Sequence, residues 1–176
     1  MTYQVVERFV APYPAVVAIK VTFSDGTDGL GSGVIVGAND ILTASHLFYK
    51  PSSQFTRIDI YPNYDPSNPG TPFATISSTS AGDVFGGFIE SSNSIENGDN
   101  NRNSLGGSEL DFTVLGVNKD LSQFGFMWID PVDQFNPTPA YVTGYPGKYG
   151  TKLMEARGYV RDDSTDFFID ISGLSI

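Results

Sequence analysis

The chain has no cysteine, a single histidine and only ten Lys and Arg residues among 176. Without cysteine there is no disulfide, no thiolate metal site and no thiol nucleophile, and one imidazole excludes a multi-histidine metal site. Any chemistry that needs a neutral base near pH 7 must therefore use His46. Twenty Asp and Glu against ten Lys and Arg leave a formal net charge of −10 and an isoelectric point near 4.3. That balance lacks the clustered cations that grip a phosphate backbone, so nucleic acid is excluded as a partner and anionic membrane surfaces are disfavoured. No apolar run approaches the roughly 20 residues of a membrane-spanning helix. The first residues, Met1-Thr2-Tyr3-Gln4-Val5, lack the basic and apolar regions of a secretory signal. A removed leader, another export route and no export all remain open on that ground.

Hydrophobic residues make up 40% and aromatics 13%, which is enough for one compact domain or two small packed halves. Nineteen glycines and eleven prolines, with abundant Ser, Thr, Asn and Asp, punctuate short apolar runs. Residues 15–23, 31–36, 41–44, 58–61, 73–79, 111–117, 140–145, 154–160 and 166–171 read as strands because they are rich in β-branched and aromatic residues and bounded by turn formers. One helical turn is expected over residues 45–49, ended by Pro51. No long window carries apolar residues at helical spacing, so the fold class is all-β. Residues 91–108 are polar and rich in Asn and Gly, a surface excursion. Their Asn and Asp oxygens suit calcium, but the spacing of a calcium loop is absent.

The segment from Gly31-Ser32-Gly33 to Leu42-Thr43-Ala44-Ser45-His46 reads as a hairpin that delivers the only imidazole to the end of a buried strand. An imidazole used as a base needs a partner that fixes its tautomer and stabilises the imidazolium. Leu110-Asp111-Phe112-Thr113-Val114-Leu115 offers a carboxylate flanked by apolar residues at a strand entry, and such a group is costly to bury alone. The other reading of Asp111 is a strand cap or a lysine partner. Glu109 lies outside the apolar run and is expected in solvent. Gly31 and Gly33 also read as points of close strand packing, and Gly144-Tyr145-Pro146-Gly147 as a turn whose proline presets φ.

These motifs resemble those of the chymotrypsin/trypsin-like serine endopeptidases. Gly31-Ser32-Gly33 with Leu42–His46 is similar to the family's histidine motif, and Asp111–Leu115 to its aspartate motif. Val142-Thr143-Gly144-Tyr145-Pro146-Gly147 with Leu153–Gly158 is similar to the bacterial glutamyl-endopeptidase-like branch. The resemblance implies two antiparallel six-stranded barrels, the second incomplete at its C-terminal end. Residues 1–125 would form the N-terminal barrel with 91–108 inserted, and residues 126–176 part of the C-terminal one. It further implies His46 as general base, Asp111 as its orienting carboxylate, a polypeptide substrate, no cofactor and no metal, and it suggests secretion. Leu47 stands where animal members carry a structural cysteine. The usual activated N-terminus of zymogen-derived members is also absent, leaving residues 1–14 as a propeptide remnant or a strand-pairing arm.

The family's nucleophile lies in a Gly-x-Ser-Gly-(Gly/Ser)-Pro motif, and no such motif occurs in the 176 residues. By the resemblance, the serine is expected beyond Ile176. Ser175 has only the Gly-x-Ser spacing and is a weak candidate, and Ser172 is weaker still. The same segment would supply the oxyanion-hole amides and a wall of the specificity pocket, so the 176-residue chain is expected to be inactive on its own. The second barrel would then need that segment, or another chain, to close its sheet edges. The alternative reading is a non-catalytic β-barrel binding module on the same scaffold.

Overall fold

The computed structural model describes residues 4–50, 52–77, 112–129, 138–147, 152–162 and 169–172. Among these the structure is mostly β, as expected. A curled six-stranded antiparallel sheet holds β2 (Val16–Phe23), β3 (Asp28–Ile35), β4 (Asp40–Thr43), β5 (Phe55–Pro62), β6 (Ala74–Ser77) and β7 (Thr113–Gly116) in the order β6-β5-β2-β3-β4-β7. A second sheet of four strands is built on β9 (Met154–Asp162). It pairs with β8 (Thr138–Gly144), with β1 (Gln4–Val5) and with β10 (Ile169–Ser172), all antiparallel. Gln4 and Val5 lie opposite Glu155 and Met154, so the first residues do act as a strand-pairing arm. The 91–108 excursion lies outside the described residues. No helix among the described residues is long and apolar enough to cross a membrane.

Sequence dictates the β2–β3 hairpin. Gly26 takes a positive φ of 81°, a conformation that glycine adopts without steric cost, and Asp25 accepts from the Thr27 amide at 3.0 Å and hydroxyl at 2.7 Å. The register that follows sends Val17, Ile19 and Val21 to one face of β2, where they are wholly buried with Ile35, Ile41, Ile58, Ile60 and Leu115. Val16 and Ala18 point the other way and are buried too, in a smaller cluster with Tyr145 and Leu153. The first half of β2 is thus covered on both faces, one by its own sheet's core and one by the second sheet.

Each of the two buried carboxylates among the described residues has its donors. Asp59, 5% exposed on the outer side of β5, accepts from Arg57 Nε at 2.8 Å and Thr75 Oγ1 at 2.6 Å. Glu155, 4% exposed, accepts from Tyr13 Oη at 2.7 Å, Gln4 Nε2 at 3.1 Å and Arg157 Nε at 3.1 Å. Two of those three donors come from the N-terminal arm, so Glu155 fastens that arm to β9. Arg8 adds a second fastening at 2.8 Å to Asp65, in the loop between β5 and β6. Burial alone would push the Glu155 carboxyl up, but the bonds from Tyr13, Arg157 and Gln4 outweigh it and hold the group below its ordinary value.

Gly31 and Gly33 are close-packing points, as the sequence suggests, but of unequal tolerance. A Cβ on Gly33 would come within 2.7 Å of Ile41 Cγ2, 2.8 Å of Ile19 Cδ1 and 3.2 Å of the Leu42 carbonyl oxygen; one on Gly31 meets only the side chain of Leu47. Gly33→Ala is expected to lower stability by about 1–3 kcal/mol and Gly31→Ala by clearly less, as read from urea midpoints. Equal midpoint shifts would contradict this packing.

A carboxyl lowered by folding stabilises fully above its unfolded value, about 4.3 for Glu. That stabilisation disappears as pH falls through the lower, folded value. Glu155→Gln is therefore expected to cost about 1–3 kcal/mol at pH 7, with the gap to wild type closing below about pH 4.3. Melting curves that stay equally separated from pH 7 to pH 3 would rule this out.

Candidate active site

β4 ends at Thr43, and the chain turns immediately into a short 3-10 segment, Ser45–Phe48. The segment is closed by the Tyr49 amide donating to the His46 carbonyl at 3.3 Å. Phe48 and Ser45 point inward and are buried, which turns the intervening His46 outward into solvent. Ser45 Oγ donates to the Phe112 carbonyl at 2.7 Å. Thr43 pairs with Thr113 and Leu42 with Val114, so β4 leaves the sheet toward His46 at the same end where the chain enters β7.

His46 lies in an open groove lined also by Phe23, Leu30, Leu47, Tyr49 and the charged Asp28 and Lys50. Those charges are matched. Lys20 Nζ lies 2.8 Å from Asp28, and its hydrogen bond, with one from Thr22, holds Asp28 below the usual carboxylate value. Lys50 bonds Asp25 and, at 2.6 Å, the Thr27 hydroxyl, and the bonds that Asp25 accepts from Lys50 and from the Thr27 hydroxyl and amide lower it strongly. In the groove the imidazole thus stands among matched charges and the side chains of Phe23, Leu30, Leu47 and Tyr49. Asp111, the orienting carboxylate that the sequence suggests, lies outside the described residues, as does Ser175. Ser172 is described only as backbone, paired with Tyr159 on β9.

The second sheet reaches this region through the end of β8. Tyr145 follows Gly144, is 2% exposed, and packs edge-on against Tyr64 with ring centroids 5.8 Å apart. Burial pushes its phenol up to about 12, against a smaller opposing contribution from the Tyr64 backbone. Its amide donates to Ser32 Oγ at 2.7 Å. The Ser32 carbonyl accepts from Thr43 Oγ1 at 2.8 Å. Sequence reasoning took Ser32 only as part of a motif and gave it no role. Its partners lie eleven and 113 positions away in the chain, and no local pattern announces them.

Comparison with known proteins agrees with this fold. The chain is similar in fold to a Glu endopeptidase solved in complex with MPD, at 23% identity and a TM-score of 0.64, over 93% of this chain and 70% of that one. It is similar to the protease Anisep from Arthrobacter nicotinovorans at 18% identity and a TM-score of 0.59, with the same coverage. It also resembles the scabies mite inactivated protease paralogue S-I1, at 19% identity and a TM-score of 0.50, over 93% of this chain and 74% of that one. At these identities the likeness is one of fold. No curated protein sequence matches the chain. The model of the trypsin-like peptidase domain matches residues 31–166, from the Gly31-Ser32-Gly33 strand through His46, β7 and the β8–β9 pair. Its span takes in well over half of the sequence, and the chain accordingly belongs to the trypsin-like peptidase family.

Proposed function

We propose that the chain is the greater part of a serine endopeptidase domain in which His46 and Asp111 serve a serine nucleophile that the 176 residues do not contain. The observation that supports this best is the tie between the two motifs. Ser45, the neighbour of His46, donates to the carbonyl of Phe112, the neighbour of Asp111, at the shared end of the β4–β7 ladder. In sequence the imidazole follows β4 and the carboxylate precedes β7, the strand paired with β4, which suits a base oriented by an acid.

In that reading His46 takes the serine proton as the oxygen attacks the peptide carbonyl, and Asp111 holds the resulting imidazolium. The imidazolium returns the proton to the leaving amine as the C–N bond breaks. A water molecule, deprotonated by the same imidazole, then cleaves the acyl-enzyme ester and regenerates the serine. The substrate is a polypeptide. The second reading, a non-catalytic module, draws on the absence of the Gly-x-Ser-Gly-(Gly/Ser)-Pro motif. A fold shared with an inactivated protease paralogue is compatible with it.

The downstream coding sequence separates the two readings: the nucleophile motif supports the enzyme, and a stop codon the module. The 176-residue chain itself is expected to take no label from a fluorophosphonate probe, and labelling of Ser175 would overturn the assignment of the nucleophile. In a protein carrying the nucleophile segment, His46→Ala is expected to abolish peptide hydrolysis, and Asp111→Asn to lower kcat by about 10⁴-fold. Full activity in either variant would remove that residue from the mechanism.

A further inference from the structure

Gly31-Ser32-Gly33 makes a different contact at each position. Gly31 lies against Leu47, the residue after His46; Gly33 is wedged between Ile19 and Ile41 in the core. Ser32, between them, is held from both sides. Its hydroxyl accepts the Tyr145 amide of the second sheet, and its carbonyl accepts the Thr43 hydroxyl at the end of β4. Gly144 approaches so closely that a Cβ there would lie 2.8 Å from Ser32 Oγ. Ser32 is also the cross-strand partner of Ala18, and Ala18 belongs to the cluster packed on Tyr145 and Leu153.

We infer that Ser32 is a positioning residue: it joins the second sheet to the end of the strand that leads into His46 and so sets where the imidazole stands relative to that sheet. The inference rests on the proposed role of His46 as the base, because only then does its placement matter to chemistry. The physical path is short. The Tyr145 amide sits at a buried residue, so loss of its acceptor frees an unpaired donor that must find water or shift the strand end. Thr43, bonded to the same residue, is three positions before His46 and is itself buried, so a displaced Ser32 moves the last ordered point before the imidazole turn. Leu47, packed on Gly31, transmits the same displacement from the other side of His46.

Because His46 is the only histidine, its imidazole gives one Cε1–H and one Cδ2–H signal, which report its surroundings in the chain without any need for activity. Proton–carbon correlation spectra and amide exchange would be recorded on the 176-residue chain and on four variants: Ser32→Ala, Ser32→Thr, Thr43→Val and Thr75→Ala. Thr75→Ala is the control, since it removes a side-chain hydrogen bond to Asp59 on β5, two strands from β3. Ser32→Ala is expected to speed exchange of the Tyr145 amide roughly tenfold and to move both His46 signals. Thr43→Val is expected to move the His46 signals with little change at Tyr145, and Ser32→Thr, which keeps the hydroxyl, to restore both readouts. His46 signals that stay at their wild-type positions in Ser32→Ala and Thr43→Val, or that move equally in Thr75→Ala, would overturn the inference. Neither outcome bears on whether His46 is a base, which the hydrolysis assay of the longer protein decides separately.

Discussion

The first half of β2 has no free face, and the rest of the structure is arranged around that constraint. Val17 and Ile19 close the core of the six-stranded sheet, while Val16 and Ala18 form the floor on which Tyr145 and Leu153 rest. Two sheets therefore share one strand as a wall. Small residues are required where they meet. Ala18 and Ser32 lie opposite each other and Gly144 approaches Ser32 directly, so a side chain at position 144 would meet Ser32 and hold the sheets apart. Packing this close gives a buried tyrosine amide its acceptor in a serine hydroxyl.

Acidity and order are reconciled in the same structure. In a chain with a net charge of −10, Glu7, Asp25, Asp28, Asp40 and Asp120 are exposed, but Asp59 and Glu155 are buried and each is surrounded by donors. Glu155 uses its desolvation to select a conformation. An unpaired carboxylate there is prohibitively costly, so the arm that brings Gln4 and Tyr13 must lie along β9. The arm then continues past Arg8 and its partner Asp65, a residue of the loop that follows β5, before entering β2. A single length of chain thus ties the second sheet to the first before the core strand begins.

The strands were legible in the sequence where burial is local in pattern. Runs such as Val16–Phe23 and Phe55–Pro62 are dense in β-branched and aromatic residues and end at turn formers, and both form where expected within a few residues. The helical turn at residues 45–49 also forms, over Ser45–Phe48. β1 was legible only as one of two readings of residues 1–14, because two residues carry no period and their pairing is with β9, at the far end of the chain. His46 stood out as the sole imidazole behind a recognisable hairpin. The burial of Glu155 did not, since its donors at positions 4, 13 and 157 come together only in the folded chain. Ser32 shows the same limit: the motif was visible, but the contacts that give it a task depend on the docking of β8.

The central claim is that His46 is an imidazole oriented by the carboxylate of Asp111. Nitrogen-15 spectra of the neutral imidazole test it most directly, because the two ring nitrogens differ sharply in shift according to which one carries the proton. A carboxylate partner on Nδ1 predicts a ring protonated mainly at Nδ1 in the wild-type chain, with that population falling sharply in Asp111→Asn. An identical tautomer distribution in the two proteins would show that Asp111 does not hold the ring, and the account of the site would fail.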